Sequence, residues 1–183
     1  MAMIGWGKPR IFYKNLSATG GTWKEFPTPV EDSTALSTTK GDKTEAKIEG
    51  GANEDVKYGK NTYALTFNIR AAKGRVRPID DEDGVIKENY AIVVQPEDPA
   101  VPGFAMEATT ASVEDNFSSA AGGVWAYTFD AITPTQTIMT KVKQVQWGVI
   151  NVTESDGTIS SITIDLDGAE AGSEPVEVAK AKS

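Results

Sequence analysis

A run of four adjacent carboxylates could bind a cation: Asp80, Asp81, Glu82 and Asp83. In a calcium-binding loop of the helix–loop–helix type, a glycine stands at the sixth position and an oxygen ligand is required at the first. If Gly84 takes the sixth position, the first is Ile79, whose side chain carries no oxygen. We therefore favour a solvated loop over a calcium site for this cluster.

Other candidate motifs are also incomplete. The segment DLDG at 165–168 has the right spacing to Glu174 for a calcium loop, but Thr163 stands at the first position, so we expect an ordinary turn. Gly59-Lys60 lacks the upstream glycine of a phosphate-binding loop. Paired carboxylates for glycoside hydrolysis could be drawn from any of the 26 acidic residues, so their presence indicates nothing without geometry.

Histidine and cysteine are both absent from the 183 residues. Their absence removes disulfides, thiolate metal sites, cysteine nucleophiles and the commonest general base. Aromatic side chains that stack nucleic-acid bases are conceivable at Trp125 or Trp147, but aromatic residues in phase along a strand are usually core residues. The sequence therefore predicts a protein that is not an enzyme and that uses no cofactor and no metal.

The net charge of −8 is spread unevenly along the chain. Residues 79–99 hold seven acids and one lysine, and residues 153–183 hold seven acids and two lysines, so the remainder is slightly basic. A protein that recognises nucleic-acid sequence needs a lysine- and arginine-rich surface to neutralise phosphates. The charge balance argues against such a protein, and the basic residues between Lys40 and Arg77 are interleaved with acids, as on a solvated or interface-forming face.

Alternating side chains predict a strand over residues 62–70, with one apolar row: Tyr63, Leu65, Phe67 and Ile69. Further strands are predicted at 8–16, 90–95, 104–114, 124–131, 141–152 and 159–166, and the strand at 124–131 carries an aromatic row of Trp125, Tyr127 and Phe129. A short helix, broken by Gly84, is predicted within residues 78–89. The pattern predicts a mainly β fold, an antiparallel β-sandwich or barrel with one short flanking helix.

The stretch from Thr38 to Glu49 looks extended but carries little apolar surface. On the side of the strand formed by its even-numbered residues, only Ala46 and Ile48 are apolar. The Gly-Gly pair that follows predicts a turn and a loop over residues 50–59. One subunit has too little apolar surface to fix this ribbon, so we expect it to contact neighbouring subunits. The candidate interface residues are Lys43, Glu45, Lys47, Glu49, Asn53, Glu54, Asp55 and Lys57.

The length of the chain predicts one domain with an appendage. We predict a β domain over residues 1–152, a C-terminal strand over 153–168 that extends its sheet, and a flexible tail over 169–183. A hairpin turn is predicted at 155–157. The segment MAMIGWGKPR has no apolar h-region, and no apolar run approaches the roughly 20 residues of a membrane helix, so we expect synthesis in the cytoplasm and no membrane partner.

The run GDKTEAKIEGG at 41–51, followed by KNTYALTFNIRAAKGR at 60–75, resembles the corresponding segment of the major tail tube proteins of long-tailed bacteriophages and prophages. The similarity continues through GKPRIFYKN near the start and through YAIVVQPEDP, ASVEDNF and VQWGVI further along. It covers residues 5–150 and is spread over several predicted strands, without a catalytic signature. Residues 151–183 fall outside it.

The resemblance implies a β-sandwich with a flanking helix, whose copies close into rings of six that stack into a hollow tube with an inner β-barrel. The implied partners are further copies of the chain, the tape measure and terminator proteins of the tail, and DNA as a non-specific cargo. The implied location is the virion tail, assembled in the cytoplasm of the host bacterium.

An acidic balance suits a conduit for DNA, because basic walls would hold the polyanion by counterion release. The candidate lumen-facing acids are the cluster Asp80, Asp81, Glu82 and Asp83. The alternative function is a monomeric β-sandwich module that binds carbohydrate or a surface, such as a decoration domain, and it would expose aromatic side chains to its ligand.

Overall fold

Twelve β-strands and no helix form within residues 7–17, 21–51, 53–98, 100–133, 141–145, 150–155 and 158–164, which the computed structural model describes. The strands are β1 (Arg10–Asn15), β2 (Lys24–Glu25), β3 (Ala35–Thr39), β4 (Lys43–Lys47), β5 (Asn53–Tyr58), β6 (Thr62–Arg70), β7 (Tyr90–Gln95), β8 (Gly103–Ser118), β9 (Gly122–Ala131), β10 (Lys143–Val145), β11 (Ile150–Ser155) and β12 (Thr158–Ile164). These described ranges contain no helix that is long and apolar enough to span a membrane.

One large sheet holds the strands in the order β2-β1-β7-β8-β9-β6-β3, and β10 pairs with β8 outside this path. Every pair in it is antiparallel. Strand β8 links the two halves of the sheet, because its first residues pair with β7 and residues 109–118 pair with β9. The predicted mainly β, antiparallel fold is confirmed.

The hydrophobic core lies on one face of this sheet and is dominated by aromatic rings. Phe67 on β6 lies 5.7 Å, between ring centroids, from both Tyr127 and Phe129 on β9. Phe26, from the loop after β2, meets Phe67 edge-on at 5.0 Å. The apolar row predicted for residues 62–70 is confirmed by the burial of its central members, and the aromatic row of β9 lies in the core as expected.

Strand β7 is buried along its whole length. Ile92 and Val94 join the core cluster, and Ala91 and Val93 on the opposite face are covered as well. A strand that is covered on both faces needs apolar residues at consecutive positions. This explains why YAIVVQ has no alternation and confirms the buried strand predicted there.

The helix predicted within residues 78–89 is absent, and that prediction was wrong. Asp83 and Gly84 have positive φ angles of 51° and 84°, which is the backbone of a two-residue type I′ turn. Glu82 and Val85 exchange backbone hydrogen bonds of 3.0 Å across the turn, and Val85 forms a bridge to β8. The Asp-Gly pair, a favoured type I′ sequence, therefore reverses the chain where a helix would have had to continue.

The loop predicted over residues 50–59 is also wrong in its second part. Residues 53–58 form β5, which pairs with β4 from Lys43 opposite Tyr58 to Lys47 opposite Asn53. Charged residues can form a strand here because its backbone groups are satisfied by the partner strand while its side chains stay in water.

The C-terminal strands β11 and β12 pair with each other, and the pairing of Ser155 with Thr158 confirms a hairpin at that point. Strands β10 and β11 stand where a single strand was predicted over 141–152, and residues 146–149 between them lie outside the described residues. The predicted tail, 169–183, also lies outside them. The division of the chain at residue 152 stays a prediction.

Candidate assembly surfaces

A two-stranded ribbon of residues 41–60, here named the arm, continues the hairpin formed by β3 and β6. Thr39 faces Thr62 in the sheet and Lys43 faces Tyr58 in the arm, so each strand advances by four residues and the register is unbroken. Within the described chain, β4 and β5 pair only with each other. At about 3.3 Å per residue, the ribbon extends roughly 30 Å past the end of the sheet.

The arm leaves the sheet where two backbone segments nearly touch. The Gly59 N–H donates to the Asp42 carbonyl oxygen at 2.7 Å, and the Gly41 N–H donates to Oδ1 of Asn61 at 3.2 Å. A Cβ atom on Gly41 would lie 2.2 Å from the carbonyl oxygen of Gly59, well inside contact distance. Glycine is therefore required at this root, and the root sets the direction of the arm.

Most of the arm is exposed to solvent. Its three large apolar side chains are Ile48, Val56 and Tyr58, and they are 50%, 38% and 56% exposed. The Lys40 ammonium lies 5.3 Å from the centroid of the Tyr58 ring, and the ring still remains more than half exposed. An isolated two-stranded hairpin is marginally stable in water, so an arm of this kind needs a further surface to fix it.

Five residues form one face of the arm, because cross-strand partners share a face. They are Lys43, Glu45 and Lys47 from β4, with Val56 and Tyr58 from β5. The Glu45 carboxylate pairs with the Lys43 ammonium and lies 3.9 Å from that of Lys47. This face therefore combines a short charge ladder with two exposed apolar side chains.

The other predicted interface residues lie elsewhere on the arm. Asp55 and Lys57 lie on the opposite face, and Asn53 pairs with Lys47 beyond a bulge. Glu49 belongs to the turn, and Glu54 is exposed next to the bulge. The eight residues thus share one arm but do not share one face.

Among the four acids proposed to line a channel, Asp81 is turned into the molecule. One carboxylate oxygen pairs with the Arg77 guanidinium, and the other accepts a hydrogen bond from the Gly84 N–H at 2.7 Å. The Asp81 side chain is only 6% exposed. It therefore braces the turn at Asp83-Gly84 instead of presenting its charge to solvent.

Asp80, Glu82 and Asp83, the three other acids, are exposed. The Glu82 carboxylate lies 2.5 Å from the Lys87 ammonium, and both side chains remain in water. An exposed pair of this kind contributes little stability. These three side chains therefore lie in solvent and can supply an external negative potential.

A cavity of about 590 Å³ lies beside this cluster, between residues 78–88 and β1. Lys24 and Glu88 give its lining both signs of charge. The Tyr90 hydroxyl donates to Glu88 at 3.1 Å, and burial, together with this bond, raises the pKa of Tyr90. In the described part of the chain no three His, Cys, Asp or Glu side chains are arranged to hold a metal ion.

A second exposed region lies at the far end of β6 and was not among the predicted sites. After Arg70 the chain runs beside the turn that joins β8 and β9: the Ala71 N–H donates to the Gly123 carbonyl oxygen at 2.9 Å. Phe117 on β8 and Val76 in the loop are 82% and 83% exposed. This region, named the basic end, comprises Arg70, Lys73, Arg75, Val76 and Phe117. Its sequence signal is a run of cations without acids in RAAKGRVR.

Comparison with models of known protein families and comparison with curated proteins both find no match to this chain.

Proposed function

We propose that this chain is a structural subunit of a phage or prophage tail tube, whose copies form rings of six that stack around a channel for DNA. The proposal rests mainly on the exposed arm. It projects from the sheet with its polar and apolar side chains exposed, and within the described residues its two strands pair only with each other. The resemblance over residues 5–150 supplies the class of assembly, and the antiparallel sheet is compatible with a sandwich or barrel.

Strand β3 supports lateral association between copies. It is an edge strand with five exposed residues, Ala35–Thr39, and within the described residues it pairs only with β6. Its sequence, ALSTT, contains neither charge nor proline. Edge strands that lack these protective features readily add a strand from another chain. Closure of a ring would use that edge.

The proposed partners are further copies of this chain, the tape measure and terminator proteins of the tail, and DNA as a non-specific cargo. The proposed location is the virion tail, after assembly in the bacterial cytoplasm. The exposed acids Asp80, Glu82 and Asp83 are the candidates for a channel wall, since Asp81 is engaged by Arg77.

Electron microscopy and sedimentation velocity of the purified protein over a wide concentration range test the proposal. The wild-type chain is expected to form six-fold rings or tubes. A matched variant replaces residues 44–57 by an Asn-Gly turn between Lys43 and Tyr58, which keeps the register of the hairpin and the glycines of the root. This variant is expected to keep its melting temperature within a few degrees and to form no tubes.

A monodisperse wild-type monomer at every concentration would contradict the proposal and favour the monomeric binding module. If tubes form equally well without the arm, the proposal of a tube subunit would stand, but the arm would not be part of the contacts between subunits. The substitution Glu31→Gln, at an exposed site away from the arm, serves as the control for handling and purity.

A further inference from the structure

The arm and the basic end lie at opposite ends of β6. The arm precedes Thr62, the first residue of the strand, and the basic end begins at Arg70, the last. Nine residues at about 3.3 Å each place the two roughly 30 Å apart. Because the arm continues the register of the hairpin, it points away from the basic end of its own chain. One copy therefore cannot bring these two surfaces together.

The outer end of the arm is acidic. Residues 47–55 carry three acids, Glu49, Glu54 and Asp55, against one lysine. The root is basic instead, with Lys40, Lys43, Lys57 and Lys60 against two acids. Ile48 lies among the outer acids and is half exposed. The tip of the arm therefore presents an apolar side chain surrounded by negative charge.

The basic end has the complementary character. The guanidinium of Arg77 is already paired with Asp81 and Asp115, but Arg70, Lys73 and Arg75 form no ion pair with any residue that the structure describes. The exposed Phe117 and Val76 accompany these cations. Phe117 lies opposite Gly123, which has no side chain to cover it. This surface offers exposed apolar groups bordered by positive charge.

We infer that the outer end of the arm of one copy docks on the basic end of a second copy. The contact joins two different surfaces, so it is not self-complementary, and repeated end-to-end it generates an open stack instead of a closed dimer. Opposite charges bring the surfaces together and fix their orientation, while Ile48 meets Phe117 and Val76. The inference rests on the proposed function and assigns a receiving surface to the arm.

Charge reversal on each surface tests the contact. The first variant, Glu49→Lys with Glu54→Lys, makes the tip of the arm positive, and the second, Lys73→Glu with Arg75→Glu, makes the basic end negative. Either variant alone places like charges against each other and is expected to raise the concentration needed for assembly by about tenfold or more. Both substitute exposed residues, so melting temperatures are expected to stay near the wild-type value.

Recombining the reversed surfaces supplies the decisive measurement. A chain carrying all four substitutions has the wild-type net charge and opposite charges at the contact again, so it is expected to recover assembly. An equimolar mixture of the two single-surface variants is expected to assemble as well, because each arm then meets a basic end of opposite sign. The variant Lys8→Glu with Lys24→Glu, which reverses two exposed lysines at the other edge of the sheet, is expected to assemble like the wild type.

Assembly of both single-surface variants at the wild-type concentration would overturn the inference while leaving the tube proposal intact. Loss of assembly without recovery in the four-fold variant and in the mixture would also overturn it, since charge pairing would not explain the loss. A wild-type chain that never assembles would instead contradict the tube proposal itself. Sedimentation velocity and electron microscopy of the wild type, the four variants and the mixture separate these results.

Discussion

Arg77 connects three parts of the molecule through one guanidinium group. It pairs with Asp81 in the turn region and with Asp115 on β8, and its central carbon lies 5.4 Å from the centroid of the Trp125 ring on β9. The Asp81 carboxylate is almost fully buried, and the Arg77 guanidinium is the cation that pairs with it. Arg77 therefore holds residues 78–89 against the hairpin of β8 and β9.

Replacement of Arg77 by Met keeps much of the side-chain volume and removes the charge. The Asp81 carboxylate would then be buried without its ion-pair partner, and the free energy of unfolding is expected to fall by about 2–3 kcal/mol. The matched variant Lys87→Met breaks the exposed pair with Glu82 and is expected to cost less than about 0.5 kcal/mol. Urea denaturation of both proteins measures the difference, and equal losses would contradict the bracing role of Arg77.

Tyr127 makes the stability of the fold sensitive to alkaline pH. Burial raises the pKa of this phenol from 10.0 to about 12. Since the folded pKa lies above the unfolded one, the stabilisation is complete below pH 10 and is lost as the pH rises from 10 to 12. The loss amounts to about 1.4 kcal/mol for each pH unit between the two pKa values.

The variant Tyr127→Phe isolates this contribution. The Tyr127 hydroxyl makes one long hydrogen bond, 3.5 Å to the Ile79 carbonyl oxygen, so its removal is expected to change stability at pH 7 by less than about 1 kcal/mol. Between pH 10 and 12 the variant should lose stability less steeply than the wild type. Denaturant titrations at each pH measure both slopes, and parallel slopes would show that other groups govern the alkaline loss.

Within the arm, the two glycines of the root differ in how much space surrounds them. A Cβ on Gly41 would meet the Gly59 carbonyl oxygen at 2.2 Å, whereas a Cβ on Gly59 would lie 3.3 Å from its nearest atom, the Asp42 nitrogen. The substitution Gly41→Ala must therefore displace backbone and redirect the arm, while Gly59→Ala needs only a small adjustment.

We expect Gly41→Ala to abolish or strongly reduce assembly and Gly59→Ala to reduce it little. Both variants should melt near the wild-type temperature, because neither glycine belongs to the core cluster. Amide hydrogen exchange over residues 43–58 would detect the redirected arm directly. Equal assembly of the two alanine variants would show that the close backbone approach does not determine the direction of the arm.

The sequence predicted best those strands whose burial follows a simple period. Strand β6 alternates because one of its faces packs on the core, and β7 is continuously apolar because both of its faces are covered. The arm was harder to predict, since β5 is stabilised by its pairing with β4 and has no apolar period. An acidic segment with little hydrophobicity was interpreted as a loop for that reason.

The wrong helix prediction for residues 78–89 and the different environments of the four adjacent acids have the same cause. Residues 78–89 combine a glycine with several helix-compatible residues, but their conformation is fixed by partners outside the segment. Val85 bridges to Ser112, and Asp81 pairs with Arg77, which in turn pairs with Asp115. Because of these contacts the Asp81 side chain is buried, whereas Asp83, two residues further along the chain, is exposed. Four adjacent carboxylates cannot be assigned to different environments from their order in the chain.

At the scale of the whole molecule, charge is arranged by position on the fold more than by position in the sequence. The acidic tip of the arm and the basic end are separated by the length of β6, and the exposed acids of the cluster lie on the turn that bridges to β8. A net charge of −8 therefore coexists with a distinctly positive surface. Such an arrangement is compatible with the proposed association between copies and with the proposed repulsion of a polyanionic cargo.

The exposed acids Asp80, Glu82 and Asp83 permit a test of the proposed channel wall. In a six-fold ring each acid is repeated six times, and the field of such a ring extends about 10 Å at ordinary salt, enough to act across part of a narrow channel. The combined variant Asp80→Asn, Glu82→Gln and Asp83→Asn leaves the Asp81 pair with Arg77 in place, and asparagine tolerates the positive φ of residue 83.

This triple variant is expected to fold and to form tubes like the wild type, and to slow or impair DNA ejection from reconstituted particles. Asp81→Asn provides the contrast, because it should lower the melting temperature through the lost ion pair with Arg77 while leaving the exposed charge unchanged. Ejection kinetics and infectivity measure the effect of the triple variant. Unchanged ejection would place these three acids on an ordinary surface loop, and the negative potential of the channel would then have to come from other carboxylates such as Glu97, Asp98 or Glu114.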